Sequence, residues 1–253
     1  VSSNSLSLQS RVNGSSIANM VRLGDTYEFR NRSSLQPYFS AKMVSLSHDN
    51  VATFDQDMPS AMSVYDVITS ISSLPTAVSI TNSVFHANRA RGSLIKVSNV
   101  TIRNVSYLNV TGPAILVRPE AAYWLESTVS RNVRIVGNHV YNCNYGIAQE
   151  NGSVTIEAIV PVFNANGQPT TQEQALQFGQ VHENVNISDN VFDQSLDPDA
   201  NHNAISMRAV SDSYVNGNKF VVPDSAQYVV LQKWNCAGTE EFQNDACFLL
   251  DGE

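Results

Sequence analysis

The stretch that decides the fold is residues 187–192, which read ISDNVF: an apolar residue, a short polar turn and a second apolar residue five positions after the first. Residues 135–140, IVGNHV, have the same form. The pattern recurs at the pairs Ile80/Phe85, Ile102/Tyr107, Ile135/Val140, Ile187/Phe192 and Val215/Phe220. Each pair predicts two short strands joined by a tight turn, and the recurrence indicates a repeat architecture.

A second short apolar run follows each pair and supplies a third strand. These runs lie at 94–97, 114–117, 146–148, 204–207 and 228–231. The anchors Ile80 and Ile102 are 22 residues apart, about one coil, and the later spacings of 33, 52 and 28 residues require loops. The sequence therefore predicts an all-β fold, a right-handed parallel β-helix of the pectate-lyase-like solenoid type.

The position three residues after each anchor favours asparagine. It is occupied by Ser83, Val105, Asn138, Asn190 and Asn218. Asparagine tolerates the left-handed backbone of a sharp turn, and its amide can hydrogen-bond to the same residue in the next coil. We expect a structural ladder here rather than a ligand site.

Two regions depart from the repeat. Residues 1–77 lack the coil pattern and contain alternating stretches such as 41–46, AKMVSL, which predict a small antiparallel β module. Residues 78–253 form the predicted β-helix, with a hairpin or loop inserted near 154–182. Loops on one side of a solenoid commonly carry its binding surface.

Composition and charge exclude several classes of protein. The net charge is -8, with 15 Lys plus Arg against 23 Asp plus Glu, and no basic cluster suits a nucleic-acid backbone. No apolar run is long enough to span a bilayer. The chain begins at Val1 without a leader, so we expect processing or a longer parent protein.

Glycosylation signals and cysteines predict a secreted, extracellular or cell-surface protein. The Asn-X-Ser/Thr sites are Asn13, Asn31, Asn99, Asn104, Asn109, Asn151 and Asn186. An Asn-rich chain produces such sites by chance, but the clustering of three of them between Asn99 and Asn109 favours real glycans. Cys236 and Cys247 bracket a short polar loop, where a disulfide would stabilise the fold by roughly 3 kcal/mol. Cys143 has no evident partner and is predicted to be a small buried residue, with a bond to another chain as the alternative.

Acidic residues and histidines give no strong site. Asp193, Asp197 and Asp199 form a weak calcium candidate, against a solvated loop as the alternative, and no other cofactor or metal is predicted. The five histidines show no metal-ligand spacing. No nucleophile-base arrangement or phosphate-binding glycine loop stands out.

Three short motifs resemble a known family. They are 88–92, NRARG, directly before a coil, 123–126, YWLE, and 24–29, GDTYEF, ahead of the coils. Together they resemble the β-helix glycosidases of glycoside hydrolase family 110, over about residues 20–220. The resemblance implies inverting α-1,3-galactosidase chemistry on terminal galactose, and a barrel module at the N-terminal segment.

The resemblance also exposes a departure. Inverting hydrolysis needs one carboxylic acid and one carboxylate flanking the sugar bond. In that family we associate the catalytic carboxylates, including an adjacent Asp-Asp pair, with coils before the barrel module. This chain has no Asp-Asp dipeptide, so no catalytic residue is assigned and enzymatic activity stays undecided.

Four residues are candidates for carbohydrate contact, which needs no catalytic group. Trp124 could stack on a sugar ring, Glu126 could accept hydrogen bonds from it, and Arg89 and Arg91 could donate them. The alternative is a buried arginine that bonds turn carbonyls or pairs with Glu126. If the two arginines lie on a strand, at most one points inward.

Two functions follow from the sequence. The first is a non-catalytic structural or glycan-binding component of an extracellular assembly, with carbohydrate or other copies of the chain as partners. The second is part of a β-helix glycoside hydrolase whose catalytic carboxylates lie upstream of this chain. An assay of the purified chain on an α-galactoside separates them.

Overall fold

A computed structural model gives the fold of residues 3–8, 17, 21–121, 129–146, 152–166, 168–175, 179–196, 203–223, 229–234, 236–242 and 245–249. The described residues form β-strands, turns and bends, and none lies in an α-helix. Among them no helix has the length and apolar character that crossing a membrane requires.

The strands are numbered in chain order. The first group is β1 (Ser5–Ser7), β2 (Thr26–Arg30), β3 (Pro37–Leu46), β4 (Val51–Phe54) and β5 (Val67–Ser70). The second group is β6 (Val78–Thr81), β7 (Val84–His86), β8 (Ser93–Ile95), β9 (Val100–Arg103), β10 (Ser106–Leu108), β11 (Ile115–Val117), β12 (Arg131–Val136), β13 (His139–Tyr141) and β14 (Gly152–Ile156). The remainder are β15 (Ile159–Phe163), β16 (Pro169–Ala175), β17 (His182–Ser188), β18 (Val191–Asp193), β19 (Asn203–Arg208), β20 (Val210–Ser211), β21 (Tyr214–Asn216), β22 (Lys219–Pro223), β23 (Val229–Trp234), β24 (Glu240–Phe242) and β25 (Asp245–Leu249).

The chain divides into two compact units. Unit 1 comprises Val1–Leu74, Glu120–Thr128 and Ile159–Gly179, and unit 2 comprises Pro75–Pro119, Val129–Ala158 and Gln180–Glu253. The two later segments of unit 1 therefore depart from unit 2 and return to it along the sequence.

Unit 1 contains an antiparallel sheet in the order β1-β4-β3-β2-β5. Alternate residues of β2, β3 and β4 face one side and form its core, in which the rings of Phe29 and Phe54 are 5.2 Å apart at their centroids. The predicted antiparallel character of the N-terminal module agrees with this sheet. A second antiparallel pair, β15 and β16, makes a hairpin within the same unit.

Unit 2 is built from three parallel sheets that the chain visits in turn. Their orders are β24-β21-β17-β12-β9-β6, here sheet C, β25-β22-β18-β13-β10-β7, sheet D, and β23-β19-β14-β11-β8, sheet E, with β20 also pairing with β17. One passage through the sheets is called a coil: β6–β8 is the first, β9–β11 the second, β12–β14 the third, β17–β19 the fourth and β21–β23 the fifth.

The sequence anchors stack in register as predicted. Ile80, Ile102, Ile135, Ile187 and Val215 pair in succession in sheet C. Phe85, Tyr107, Val140, Phe192 and Phe220 pair in succession in sheet D. Anchors of the second to fifth coils are buried in one cluster, and the rings of Phe192 and Phe220 stack at 5.1 Å. Burial of these branched and aromatic side chains is the main stabilising term of the unit.

Two local predictions differ from the structure. The third strand of the third coil is β14 (Gly152–Ile156), not the run at 146–148, of which only Gly146 lies within the described residues. The antiparallel hairpin accordingly begins at Ile159, after that coil strand, rather than at Val154. The apolar residues at 154–156 resemble a hairpin strand in sequence because a fully buried strand has the same composition.

Candidate functional site

Asparagines occupy two kinds of column in unit 2. Asn138, Asn190 and Asn218 are buried, and each side-chain nitrogen of the first two donates to the side-chain oxygen of the next at 2.9 Å. The predicted ladder is thereby confirmed. The left-handed residues, however, stand one position earlier, at Asn82, Asn104, Gly137, Asp189 and Gly217. The turn and the ladder therefore belong to adjacent residues.

The three clustered glycosylation signals coincide with the corners of the second coil. Asn99, Asn104 and Asn109 are exposed and have φ of 59°, 53° and 53°. In each signal a left-handed asparagine is followed by a buried valine and then by a Thr or Ser. The coil geometry thus accounts for this sequence pattern without a glycan.

The same asparagines form exposed amide pairs between coils. Asn132 Nδ2 donates to Asn99 Oδ1 and Asn142 Nδ2 donates to Asn109 Oδ1, both at 2.8 Å. Asn104 Nδ2 itself donates to Asn82 Oδ1 at 2.7 Å. Glycan attachment at Asn104 would therefore use a nitrogen that already bonds to the preceding coil.

The other predicted glycosylation sites differ in their surroundings. Asn31 is exposed, and its side-chain oxygen accepts hydrogen bonds from the backbone N–H groups of Ser33 and Ser34. Asn186 is half-buried and its Oδ1 is enclosed. Asn13 and Asn151 lie outside the described residues.

The predicted disulfide is wrong: Cys236 is a free thiol. Its Sγ lies 3.3 Å from the carbonyl oxygen of Trp234 and 3.5 Å from that of Met207. Cys247 lies instead in β25, opposite Val221 of sheet D. Sequence proximity suggested a bridge, but Cys236 lies in the connection between β23 and β24 and Cys247 in β25.

Cys143 is a buried, free thiol, as the sequence predicts for a small residue at this turn. Burial raises the pKa of its thiol to about 11, and the Sγ atom contacts the backbone carbonyls of Tyr107 and Tyr141. A thiol of this kind stays protonated and unreactive near neutral pH.

The predicted carbohydrate contacts fall in two places. Arg89 and Arg91 lie in the loop between β7 and β8, the first exposed and the second half-buried, so the alternation expected for a strand does not apply. Trp124 and Glu126 lie outside the described residues.

Only one residue of the predicted calcium site lies within the described residues. Asp193 Oδ1 accepts a hydrogen bond from the N–H of Ser195 at 3.0 Å, whereas Asp197 and Asp199 lie outside the described residues. Among the residues that the structure does describe, no group of three or more His, Cys, Asp or Glu side chains could hold a metal ion.

A polar cavity lies at the corner between sheets C and D. It is a half-open surface depression of about 480 Å³, and the residues that line it are all exposed: Thr81, Asn82, Arg103, Asn104 and Gly137. Gly137 leaves the space open because it has no side chain, and a Cβ added there would meet nothing within 4 Å. The lining offers a hydroxyl, two amides and a guanidinium, which suit a ligand rich in hydroxyl groups. It offers no carboxylate, so it lacks the acid and base of glycoside hydrolysis.

A second polar cluster is buried at the corner between sheets E and C. Arg118 follows β11 and Glu157 follows β14, and their side chains form an ion pair of 2.7 Å. Glu157 is buried and Arg118 is about one-third exposed. Beyond these two residues the chain leaves unit 2 for segments 120–128 and 159–179.

Where the chain re-enters unit 2 after each of these segments, two residues form a buried contact. The N–H of Ser130 donates to Nδ1 of His182 at 3.2 Å, and both residues are wholly buried. Burial lowers the pKa of His182 to about 4, so the imidazole is neutral and accepts this bond near neutral pH. The corner thus fixes the departure and return of two insertions, which is a structural role.

Sequence reasoning missed both the cavity and this cluster. Arg118 and Glu157 are adjacent only because Val117 pairs with Ile156 across coils. The available signal was their common position, one residue after the third strand of each coil. The incorrect placement of the third-coil strand at 146–148 concealed it.

Comparison with known proteins gives one consistent relationship. No protein-family model matches the chain. The chain is 28% identical to the α-1,3-galactosidase A of Bacteroides fragilis (strain YCH46) over 175 residues, which are 67% of the chain and 27% of the relative. It is 29% identical to the Shewanella woodyi α-1,3-galactosidase A over 167 residues, 61% of the chain and 25% of the relative. It is 27% identical to the Akkermansia muciniphila α-1,3-galactosidase A over 202 residues, which are 78% of the chain and 30% of the relative.

The predicted resemblance to the α-1,3-galactosidase family is confirmed by these matches. The chain is related to glycoside hydrolases and spans about a quarter of the length of the curated relatives that it matches.

Proposed function

We propose that unit 2 is a right-handed parallel β-helix and that the chain is a non-catalytic, carbohydrate-binding component of a secreted glycoside-hydrolase-like protein. The relationship to α-1,3-galactosidases over about two thirds of the chain supports carbohydrate binding. The absence of a carboxylate from the lining of the polar cavity carries the non-catalytic part of the proposal. The three parallel sheets visited in turn support the architecture, because helical β solenoids are built in this way.

The polar cavity between sheets C and D is the proposed sugar site. Its volume suits a small saccharide, and the donors and acceptors of Asn82, Arg103 and Asn104 can bond sugar hydroxyl groups. Because the cavity contains no carboxylate, a sugar held there would not be hydrolysed by its lining residues.

Binding is tested by isothermal titration of the purified chain with an α-1,3-linked galactose disaccharide. Arg103→Ala should weaken binding at least tenfold, since it removes the charged donor of the cavity. Arg134→Ala is the matched control, because Arg134 is also exposed on sheet C but does not line the cavity. Equal affinities of the wild type and both variants would contradict this location.

A second candidate function is that of a hydrolase part whose catalytic carboxylates are supplied from outside this chain. The names of the relatives favour it, since each is an α-1,3-galactosidase. An assay of the purified chain on a p-nitrophenyl α-galactoside separates the two functions. The non-catalytic function predicts no turnover, and turnover by the 253-residue chain would overturn it.

Secretion and glycosylation are proposed from the seven Asn-X-Ser/Thr sites. Asn99 and Asn109 are the best placed for a glycan, because both are exposed and accept their inter-coil hydrogen bonds through Oδ1. Mass spectrometry of chain from its natural source, before and after enzymatic deglycosylation, measures the occupancy of each site. Unmodified asparagine at both positions would remove the support for a glycoprotein.

A further inference from the structure

Positive charge is concentrated in the first three coils of unit 2, although the whole chain has a net charge of -8. Segments 75–119 and 129–146, which supply β6 to β13, contain seven arginines and lysines and no Asp or Glu. All 23 acidic residues of the chain therefore lie outside these segments. An anion that approaches this part of the surface meets an attraction that the rest of the acidic chain does not provide.

Two of these arginines are neighbours on the outer face of sheet C. Arg103 in β9 and Arg134 in β12 each adjoin a buried anchor, Ile102 and Ile135 respectively. Because successive side chains of a strand alternate, both arginines point outward, and both are exposed. Arg134 pairs with Thr101, two positions before Arg103, so the two Cα atoms are diagonal neighbours about 8 Å apart. Long side chains at diagonal positions can reach the same group.

Neither Arg103 nor Arg134 has an acidic partner in the part of the chain that the structure describes. The ion pairs found there use other cations. The acidic residue of the adjacent strand β17 is Glu183, and it pairs with Arg131 at 3.4 Å. The two exposed guanidinium groups therefore present charge that no described carboxylate neutralises.

Arg103 connects this pair of charges with the proposed sugar site, because it also lines the polar cavity. Arg134 does not line the cavity and stands one row of outward side chains further from the corner between sheets C and D. A saccharide that occupies the cavity and extends over sheet C towards Thr101 would bring its substituents within reach of both arginines.

We propose that the saccharide bound in the polar cavity carries an anionic substituent, a sulfate ester or a carboxylate, which Arg103 and Arg134 hold together on the outer face of sheet C. This inference rests on the proposed sugar site and adds the chemical class of its ligand. Guanidinium groups bond either anion through two parallel hydrogen bonds, whereas the amides of Asn82 and Asn104 suit neutral hydroxyl groups. Two arginines match one such substituent, not the row of phosphates of a nucleic acid.

The test is isothermal titration of the full chain with three disaccharides. They are the neutral α-1,3-linked galactose disaccharide, its sulfate ester, and the form with galacturonic acid in place of the terminal galactose. At least one anionic form should bind about tenfold more tightly than the neutral one at low salt, about 20 mM. The advantage should shrink to about threefold at about 500 mM salt, because ions screen exposed charges. The form with the greater advantage identifies the substituent as a sulfate or a carboxylate.

Arg134→Gln removes the charge and keeps most of the length of the side chain. It should lower the preference for the anionic over the neutral disaccharide from about tenfold to about threefold. Lys219→Gln is the matched control, since it removes one positive charge from an exposed position on sheet D, and it should leave the preference at its wild-type value. Because the preference compares two ligands on the same variant, a general loss of folded protein does not change it.

Three results would contradict the inference in different ways. Equal affinities for the neutral and anionic forms, both weakened by Arg103→Ala, would overturn it and leave the sugar site in place. Binding of inorganic sulfate as tight as that of the sulfated disaccharide would overturn it too, because the arginines would then hold an adventitious ion only. Absence of binding by all three disaccharides would refute the proposed sugar site itself, and the inference with it.

Discussion

The buried column of Asn138, Asn190 and Asn218 and the exposed column of Asn99, Asn132 and Asn184 use the same side chain for different purposes. In the buried column the side chain of Asn190 makes four hydrogen bonds: its Nδ2 donates to the carbonyl oxygen of Ile135 and to Asn218 Oδ1, and its Oδ1 accepts from the backbone and side-chain nitrogens of Asn138. In the exposed column each residue has a positive φ, and a single hydrogen bond between side-chain amides joins each pair of neighbouring coils.

The difference teaches that asparagine is selected by hydrogen bonding inside and by backbone conformation outside. A buried amide has no water to replace a lost partner, so each of its bonds must be made by protein. An exposed amide can exchange its partner for water. The feature that favours asparagine at these exposed positions is therefore the left-handed backbone, which asparagine tolerates. Three measurements on these columns can break or sharpen this contrast, and a fourth tests His182, another buried polar side chain.

Asn190→Ala should have the largest effect. It leaves the backbone N–H of Asn138, the carbonyl of Ile135 and the Asn218 amide without their partner, at a cost of about 4 kcal/mol in the free energy of unfolding. Urea unfolding followed by circular dichroism measures it. A loss below about 1 kcal/mol would show that the buried amides are not a stabilising network.

The buried His182 should make stability depend on pH. Its pKa is lowered from 6.5 to about 4 by burial, so between these values the unfolded chain binds the proton more readily than the folded one. The contribution is complete above pH 6.5 and should fall by roughly 3 kcal/mol as the pH drops to 4. Urea unfolding at a series of pH values measures this slope.

His182→Gln should reduce the slope in that range, because no group at this position then titrates. His139→Gln is the control, since His139 is exposed on β13. An unchanged slope in His182→Gln would exclude His182 as its source.

Asn132→Ala should lower the free energy of unfolding by about 1.5 kcal/mol, because alanine is strained at φ of 56° and the side-chain hydrogen bonds to Asn99 and Asn184 are lost. Asn132→Gly should cost only a few tenths, since glycine adopts this conformation freely. Thermal unfolding of the pair isolates the conformational part. Equal losses for the two variants would mean that hydrogen bonds, not backbone conformation, select asparagine at the surface.

Gly137→Asn should have the smallest effect, an increase of about 0.5 kcal/mol in the free energy of unfolding. Gly137 has φ of 64° and open space around it, so an asparagine there could extend the pair formed by Asn82 and Asn104. Gly217→Asn is the matched control and should destabilise, because an added Cβ would lie 2.5 Å from Asp189 Oδ1. Thermal melting measures both. Gly137→Asn should also fill the polar cavity and weaken galactoside binding, so stability and binding should move in opposite directions.

The repeating part of the fold was accessible from sequence because one side-chain pattern reports one local structure. The spacing of five between Ile187 and Phe192 reflects a strand, a corner and a strand, and it set the register of sheets C and D. The third strands were harder to place, since 146–148 and 152–156 are both short and apolar and only the pairing of Val154 with Ile115 distinguishes them.

The candidate site was less accessible because its residues meet only after coiling. Arg103 and Gly137 are 34 positions apart and share a cavity through the register of sheet C. The error at Cys236 and Cys247 has a similar origin: closeness along the chain was taken to predict a bond, whereas Cys236 lies between β23 and β24 as a free thiol and Cys247 lies in β25 of sheet D.

The central claim is that the anchors of successive coils lie directly above one another in one dry interior. Methyl NOE spectroscopy of isoleucine-labelled protein tests it directly, because neighbouring strands lie about 4.8 Å apart and alternate strands twice as far. We expect strong cross-peaks between Ile102 and Ile135 and between Ile135 and Ile187, with a much weaker one between Ile102 and Ile187. A strong direct contact between Ile102 and Ile187, or none between Ile102 and Ile135, would contradict the stacking on which the account depends.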